Sequence, residues 1–191
     1  MTSNETAPRG RTPSGLSVSG LSAIAGGAAM AVIGVMQAVR PTDDDPRVLG
    51  EEHLILGLFA ASLILLVPGL LALARHGTRV ALAGAVAVSI GHVLLAFGAT
   101  ASNLHGEDYP WFGLVAVPAN LAMLAGGIAM AVSLWRAGRV PRVVAVALPA
   151  LWLCEIILAQ LGGGLIAGAY WLVVGRLLIS GTLEGAAPAR P

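Results

Sequence analysis

The chain contains no lysine and little charge of any kind. Charged residues make up 11% of its 191 residues, and all 11 basic residues are arginines. A soluble domain carries roughly 25% charged residues. This shortage excludes an ordinary water-soluble globular domain, and a net charge of +1 argues against a nucleic-acid partner. The abundance of Ala, Gly, Val, Leu, Pro and Arg is typical of a GC-rich bacterial genome.

Signatures of catalytic and cofactor sites are also missing. The one cysteine, Cys154, cannot form a disulfide within the chain. There is no G-x-S-G motif of rhomboid-type serine proteases and no H-E-x-x-H motif of zinc peptidases. The four histidines offer no pair at matched depth for a haem. We therefore predict no cofactor and no metal site, and we favour a protein that is not an enzyme while leaving that question open.

Long apolar runs are what the sequence does contain. Six of them cover residues 18–39, 54–74, 80–100, 111–135, 142–160 and 165–180. Their lengths are close to the roughly 20 residues that a helix needs to cross a hydrocarbon core of about 30 Å. They lack the alternation of apolar and polar residues that is typical of membrane barrels. The sequence therefore predicts an all-α, polytopic integral membrane protein, a six-transmembrane-helix bundle.

The domain boundaries follow from these runs. Residues 18–180 form the predicted membrane domain, after a polar, disordered cytoplasmic tail at residues 1–17 and before a short tail at residues 181–191. The last run is short for a span, and a triple glycine precedes it at residues 162–164. An alternative is therefore four spans followed by a re-entrant hairpin at residues 142–180.

The distribution of arginine predicts the orientation of the six-helix arrangement. By the positive-inside rule, the side of the membrane with more arginines is cytoplasmic. Only Arg40 and Arg47 fall on the poorer side, together with the acidic loops at residues 40–53 and 102–110. We predict that both termini face the cytoplasm, in a bacterial cytoplasmic membrane. The residues on the richer side are Arg9, Arg11, Arg75, Arg79, Arg136, Arg139, Arg142 and Arg190.

Glycines mark one face of the first and of the last predicted helix. Gly20, Gly27 and Gly34 recur every seven residues in the first, and Gly164, Gly168 and Gly175 lie on one side of the last. Small residues allow membrane helices to approach closely. Besides the lipid bilayer, the predicted partners are a second copy of the chain or another membrane protein, bound through either glycine face.

Glu155 is the only acidic residue inside any of the six apolar runs. A carboxyl group is costly at that position in a membrane, and such residues often mark functional sites. A helical rise of about 1.5 Å per residue places Glu155 roughly 8 Å below the outer end of its helix. The same arithmetic places His92 and Asn120 roughly 13 Å below the outer ends of theirs. We therefore predict one polar layer in the outer half of the bundle.

Three more side chains complete the predicted site. Gln37 and His53 lie above the polar layer, near the outer rim, and Trp152 lies one turn before Glu155. A Glu–His pair could bind a cation or take part in proton movement. One hypothesis is therefore a protein that handles a small solute, an ion or protons. The other is a structural or accessory subunit, because polar side chains also hold membrane helices together without binding a ligand.

Overall fold

The computed structural model describes residues 17–40, 47–107 and 109–183. These residues form helices and contain no β-strand; Arg47 and Glu107 form an isolated antiparallel bridge. The prediction of an all-α fold is confirmed for this part of the chain. The helices are α1 Val18–Val39, α2 Glu51–Ala74, α3 Arg79–His105, α4 Phe112–Ala137, α5 Arg142–Trp152, a π-helical segment Leu153–Ile157, a 3-10 turn Ala159–Leu161 and α6 Gly163–Ile179.

Four helices are long and apolar enough to cross a membrane. They are α1 to α4, with 22, 24, 27 and 26 residues, while α6 is apolar but has only 17 residues. Large apolar side chains also cover the outside of the bundle, as shown by Leu114 at 80% exposure and Phe97 at 61%. Helices that are apolar on their outer and inner faces are typical of a membrane-embedded bundle. The chain is a multi-pass membrane protein.

The six α-helices pack in a ring that follows their order in the chain. Each of α1 to α5 packs against the next helix, and α6 closes the ring by packing along α1. The side chains of α2 and α6 also meet across the middle of the ring. Buried leucines and Trp171 fill this centre, including Leu63, Leu66, Leu70 and Leu73.

The two predicted glycine faces pack against each other within the chain. Gly20, Gly27 and Gly34 of α1 face Gly175, Gly168 and Gly164 of α6, in that order. A Cβ atom on Gly168 would lie 2.5 Å from the carbonyl oxygen of Gly27. The prediction of close packing is therefore correct, but these faces are covered by each other. They do not form the open surface on which a partner was predicted to bind.

The two ends of the bundle differ in charge. One end of the bundle contains the last turns of α1 and α3 and the first turn of α2. It carries Glu51, Glu52 and Glu107, and we call it the acidic end. There Arg40 Nη2 lies 2.5 Å from Glu52 Oε1 and ties α1 to α2. The opposite end, which we call the arginine end, carries Arg75, Arg79, Arg136, Arg139 and Arg142. Most of the predicted tails at residues 1–17 and 181–191, with Arg9, Arg11 and Arg190, and the acidic residues 43–45 and 108 lie outside the described residues.

Helix α3 extends beyond the apolar run that predicted it. The run ended at residue 100, whereas the helix continues to His105 and ends at Gly106, which has a φ of 80°. The Gly106 N–H donates to the Ser102 carbonyl at 2.9 Å, a left-handed glycine cap. Part of the predicted acidic loop at residues 102–110 is thus helical, because the polar residues there are compatible with a final helical turn.

The fifth apolar run does not form one continuous helix. Helix α5 ends at Trp152, and the chain continues as the π-helical segment and the 3-10 turn before it reverses at Gly162. This turn lies against Ala38, one residue before the end of α1, and α6 then follows α1 back to Gly20. Residues 142–179 therefore run from the arginine end to the acidic end and back.

Candidate functional site

Glu155 lies in the middle of the π-helical segment Leu153–Ile157, and its side chain points into the bundle. The residue is only 8% exposed. No hydrogen bond or ion pair joins its carboxyl group to any other residue that the structure describes. An isolated carboxyl group in an apolar interior is costly. Its position therefore requires an explanation other than the stability of the bundle.

The backbone around Glu155 departs from α-helical geometry. The Leu158 N–H donates to the Leu153 carbonyl at 3.0 Å, five residues back, which widens the helix by one residue. Gly162 reverses the chain with a φ of 82°, and Gly163 then packs directly against the Cys154 carbonyl group. A side chain at position 163 would prevent this approach. π-Helical segments are rare in proteins, and those that exist are often found at functional sites.

Glu155 lines a large cavity in the half of the bundle next to the acidic end. The cavity has a volume of about 340 Å³ and is lined by residues from α1, α2, α3, α4, α6 and the segment between α5 and α6. Four lining residues are polar: Gln37, Ser102, Asn120 and Glu155. Apolar side chains form most of the remaining wall, among them Ile33, Ile55, Phe59, Leu95 and Phe112.

Glu155 also lines a second, much smaller cavity nearer the middle of the bundle. This cavity has a volume of about 30 Å³, and His92, Trp152 and Trp171 contribute to its wall. Of the residues that the structure describes, Glu155 alone lines both cavities. It therefore stands between a ligand-sized space towards the acidic end and a space of roughly one water molecule in the centre.

His92 and Trp171 give the small cavity its polar character. His92 is 3% exposed, and its Nδ1 lies 3.2 Å from the Leu63 carbonyl oxygen of α2. Because a carbonyl oxygen only accepts, Nδ1 carries the proton, and in the neutral ring Nε2 is an acceptor. The buried Trp171 Nε1–H has no hydrogen-bond partner in the described structure. The small cavity thus brings together a carboxyl group, an imidazole ring and an indole.

Asn120 and Trp152 are joined by a hydrogen bond between helices. The Trp152 Nε1–H donates to Asn120 Oδ1 at 2.9 Å, and Asn120 Nδ2 donates to the Ala116 carbonyl at 2.8 Å. This pair links α4 to the end of α5. Asn120 lines the large cavity and Trp152 lines the small one, next to Glu155.

His92 and Asn120 lie at about the same level, as the predicted polar layer requires. A Cβ atom on Gly91 would lie 2.7 Å from the Ala119 carbonyl oxygen and 2.5 Å from the Met123 side chain, so the next residue of each helix, His92 and Asn120, is at a similar height. Helix α3 is longer than its apolar run because its last turns extend past Phe112, the first residue of α4, which lies against Gly98. The two side chains nevertheless line different cavities: His92 the small one and Asn120 the large one.

His53 is the one predicted site residue that lines neither cavity. Its side chain is exposed, and Nδ1 donates to Asn103 Oδ1 at 2.6 Å. Asn103 Nδ2 in turn donates to the His53 carbonyl at 3.1 Å. This pair joins α2 to α3 at the acidic end. Gln37, by contrast, lies in the wall of the large cavity.

Sequence reasoning missed several residues of the site. Ser102, Phe59 and Phe112 line the large cavity and Trp171 lines the small one, without any local pattern that marks them. A second close glycine contact, between Gly84 of α3 and Gly126 of α4, was also missed. The signal for it was present, because Gly84, Gly91 and Gly98 recur every seven residues, as they do in α1.

Comparison with known proteins adds no relative. Neither the protein-family models, nor the curated protein sequences, nor the solved structures contain a match to this chain. The function must therefore be argued from the two cavities and the residues between them.

Proposed function

We propose that the six helical segments each cross the membrane, with the arginine end in the cytoplasm of a bacterial cell. Six of the eight arginines among the described residues lie towards that end, if Arg176 in the last turn of α6 is included. Arg40 and Arg47 lie at the other end. The positive-inside rule then assigns the acidic end to the exterior and the termini to the cytoplasm.

Cysteine labelling in intact cells tests this topology. In a Cys154→Ser background, a cysteine at Gln160, in the exposed turn before α6, should react with a membrane-impermeant maleimide added outside. A cysteine at Arg139 should react only after the membrane is permeabilised. Protection of the cysteine at position 160 from both sides would support the re-entrant hairpin and contradict six spans.

We further propose that the protein handles a small solute, an ion or protons through the large cavity. The observation that carries this proposal is Glu155, a buried carboxyl group without a partner among the described residues, placed between two cavities. A volume of about 340 Å³ lies in the usual range of ligand pockets, which are mostly apolar with a few polar groups. Ionisable residues inside membranes are typical of substrate and proton pathways.

The two titratable side chains that line the cavities support a role for protons. They are Glu155 and His92, which face the small cavity from opposite sides of the bundle. No arginine in the described part of the chain lines either cavity. A proton bound by Glu155 from the acidic end is therefore not opposed by a fixed positive charge, and His92 Nε2 is an acceptor further in.

The test combines access to the cavity with a change at Glu155. In a Cys154→Ser background, a cysteine at Ala116, in the cavity wall, should react with the small neutral reagent methyl methanethiosulfonate. A cysteine at the fully buried Leu134 should not react. Glu155→Gln should then abolish pH-dependent binding or flux in proteoliposomes while the protein still folds, and Glu107→Gln, at an exposed carboxyl group, should have no effect.

Two results would contradict a functional cavity. One is an Ala116→Cys protein that does not react, since the space would then be closed to solutes. The other is a folded Glu155→Gln protein whose pH-dependent binding or flux is unchanged, because Glu155 would then take no part in either.

A second candidate function is a structural or accessory membrane subunit. The observation that favours it is that three polar side chains at the site already bond to protein groups: Trp152 to Asn120, and His92 to the Leu63 carbonyl. Such bonds hold membrane helices together without any ligand. Glu155 is the residue that this interpretation does not explain.

A further inference from the structure

The chemistry of the large cavity restricts the charge of its ligand. Among the described residues, Glu155 is the one charged side chain in its wall, and neither arginine nor histidine lines it. The chain contains no lysine that could supply a positive group. An anion in this space would meet a carboxyl group and no balancing cation, at a high cost in an apolar setting. The cavity therefore disfavours anionic ligands.

The remaining wall also disfavours a bare metal ion. Calcium and magnesium need about six or more oxygen ligands. The polar wall consists of Gln37, Ser102, Asn120 and Glu155, and Asn120 Oδ1 already accepts from Trp152. Among the described residues, no group of three His, Cys, Asp or Glu side chains could hold a metal ion. A bare ion would lose more hydration than this wall replaces.

Apolar contact dominates the rest of the cavity. Ile33, Ile55 and Leu95 present aliphatic surface, while Phe59 and Phe112 present aromatic rings. These side chains come from α1, α2, α3 and α4, so they surround the space instead of covering one wall. A ligand that fills about 340 Å³ here must have a mainly apolar body.

We propose that the large cavity binds a small organic monocation, a protonated amine with an apolar body. This inference rests on the proposed function and names the substrate class of the same site. The ammonium group pairs with the Glu155 carboxylate at the inner end of the cavity. The apolar body packs on the aliphatic and aromatic wall. Such a ligand supplies the partner that Glu155 lacks in the described protein.

Three probes that share a cyclohexyl ring and carry a positive, a neutral or a negative polar group test the inference. They are cyclohexylammonium, cyclohexanol and cyclohexanecarboxylate, added to the purified full chain in lipid nanodiscs while thermal unfolding is followed. The ammonium should raise the unfolding midpoint at concentrations about tenfold or more below those that cyclohexanol requires, because a charge-assisted bond adds to the shared apolar contact. The carboxylate should have no effect.

Variants of cavity residues test whether the ammonium probe binds in the large cavity. Glu155→Gln should remove the advantage of the ammonium over the alcohol, whereas Glu107→Gln should preserve it. Ala116→Leu fills part of the cavity and leaves Glu155 in place, so it should weaken ammonium binding. It also serves as the test if Glu155→Gln does not fold. An ammonium effect that persists unchanged in Ala116→Leu would assign binding to another site and overturn the inference.

The remaining outcomes separate this inference from the proposed function. Equal binding of cyclohexanol and the ammonium would overturn the cationic substrate class and leave a solute-binding cavity in place. Failure of all three probes, with a reactive cysteine at position 116, would also overturn the inference alone. Failure of all three with an unreactive cysteine would contradict the proposed function itself.

Discussion

Helix α6 has two neighbours in the ring, and they approach it very differently. On one side, three glycines of α1 meet three glycines of α6, so closely that a Cβ atom on Gly168 would lie 2.5 Å from a carbonyl oxygen. On the other side, the chain between α5 and α6 leaves the α-helical path, and two cavities open beside Glu155. Close backbone packing thus occurs along the contact of α6 with α1, and the cavities open beside the segment that joins α5 to α6.

The same contrast recurs on the two sides of α4. Gly126 packs against Gly84 of α3, whereas a Cβ atom on the neighbouring Gly127 would lie 3.7 Å from the Leu148 carbonyl oxygen of α5, an ordinary contact distance. The α1–α6 and α3–α4 contacts therefore form rigid pairs, and α5 with its π-helical segment is the loosely packed element between them. A carboxyl group without a partner is tolerated where packing is loose, since water or a ligand can reach it.

The largest expected effect is at the α1–α6 contact. Gly168→Ala places a methyl group 2.5 Å from the Gly27 carbonyl oxygen and 2.7 Å from Ala31, so the two backbones must move apart. Overpacking of this kind lowers the free energy of unfolding by typically 1–3 kcal/mol, here towards about 3 kcal/mol. Gly113→Ala, where no atom lies within 4 Å, is the matched control and should leave the free energy unchanged. Equal stability of the two variants in detergent unfolding would refute the close contact.

A smaller effect is expected from two adjacent glycines of α4. Gly126→Ala places its Cβ 2.5 Å from the Gly84 carbonyl oxygen and should lower the free energy of unfolding by about 1–2 kcal/mol. Gly127→Ala meets only ordinary contacts and should be tolerated. Both changes replace glycine by alanine in the same helix, so the change in helix propensity is the same in the two variants. The difference between their thermal unfolding midpoints therefore compares the packing on the two sides of α4. A reversed order would mean that α4 is rotated relative to this structure.

The smallest expected effect concerns the side-chain hydrogen bond between α5 and α4, on the loosely packed side of α4. Trp152→Phe and Asn120→Leu each remove one partner of the 2.9 Å bond between α5 and α4. A double-mutant cycle should give a coupling energy of about 0.6 kcal/mol, as is usual for hydrogen bonds between membrane helices. Unfolding of the four proteins in detergent measures it. A coupling energy near zero would show that Asn120 and Trp152 act separately at the cavities.

Much of the fold was predictable because its signals are local. Apolar runs predicted six helical segments, and the seven-residue glycine spacing predicted close packing by α1. The identity of the packing partner was not predictable, since a glycine face shows that another backbone approaches but not which one. A partner molecule was therefore predicted at the glycine face of α1, whereas α6 of the same chain makes that contact.

The candidate site was predictable in its residues more than in its geometry. Glu155 attracts notice as the lone carboxyl group of the apolar runs. Helical rise placed His92 and Asn120 at one level, which agrees with the packing of Gly91 against Ala119 and Met123, but it could not show that the two side chains line different cavities. His53 has the right residue type at the right end, but its hydrogen bond to Asn103 holds it outside the cavities.

The sequence alone determined that this is a helical membrane protein with charge separated between its ends. Those properties depend on hydropathy, helix length and the positions of arginines, which the local chain carries. Only the tertiary structure decided what surrounds Glu155. Its two cavities depend on helix rotation, on the closure of α6 against α1 and on the π-helical turn that Gly163 accommodates, all of which arise from packing between distant parts of the chain.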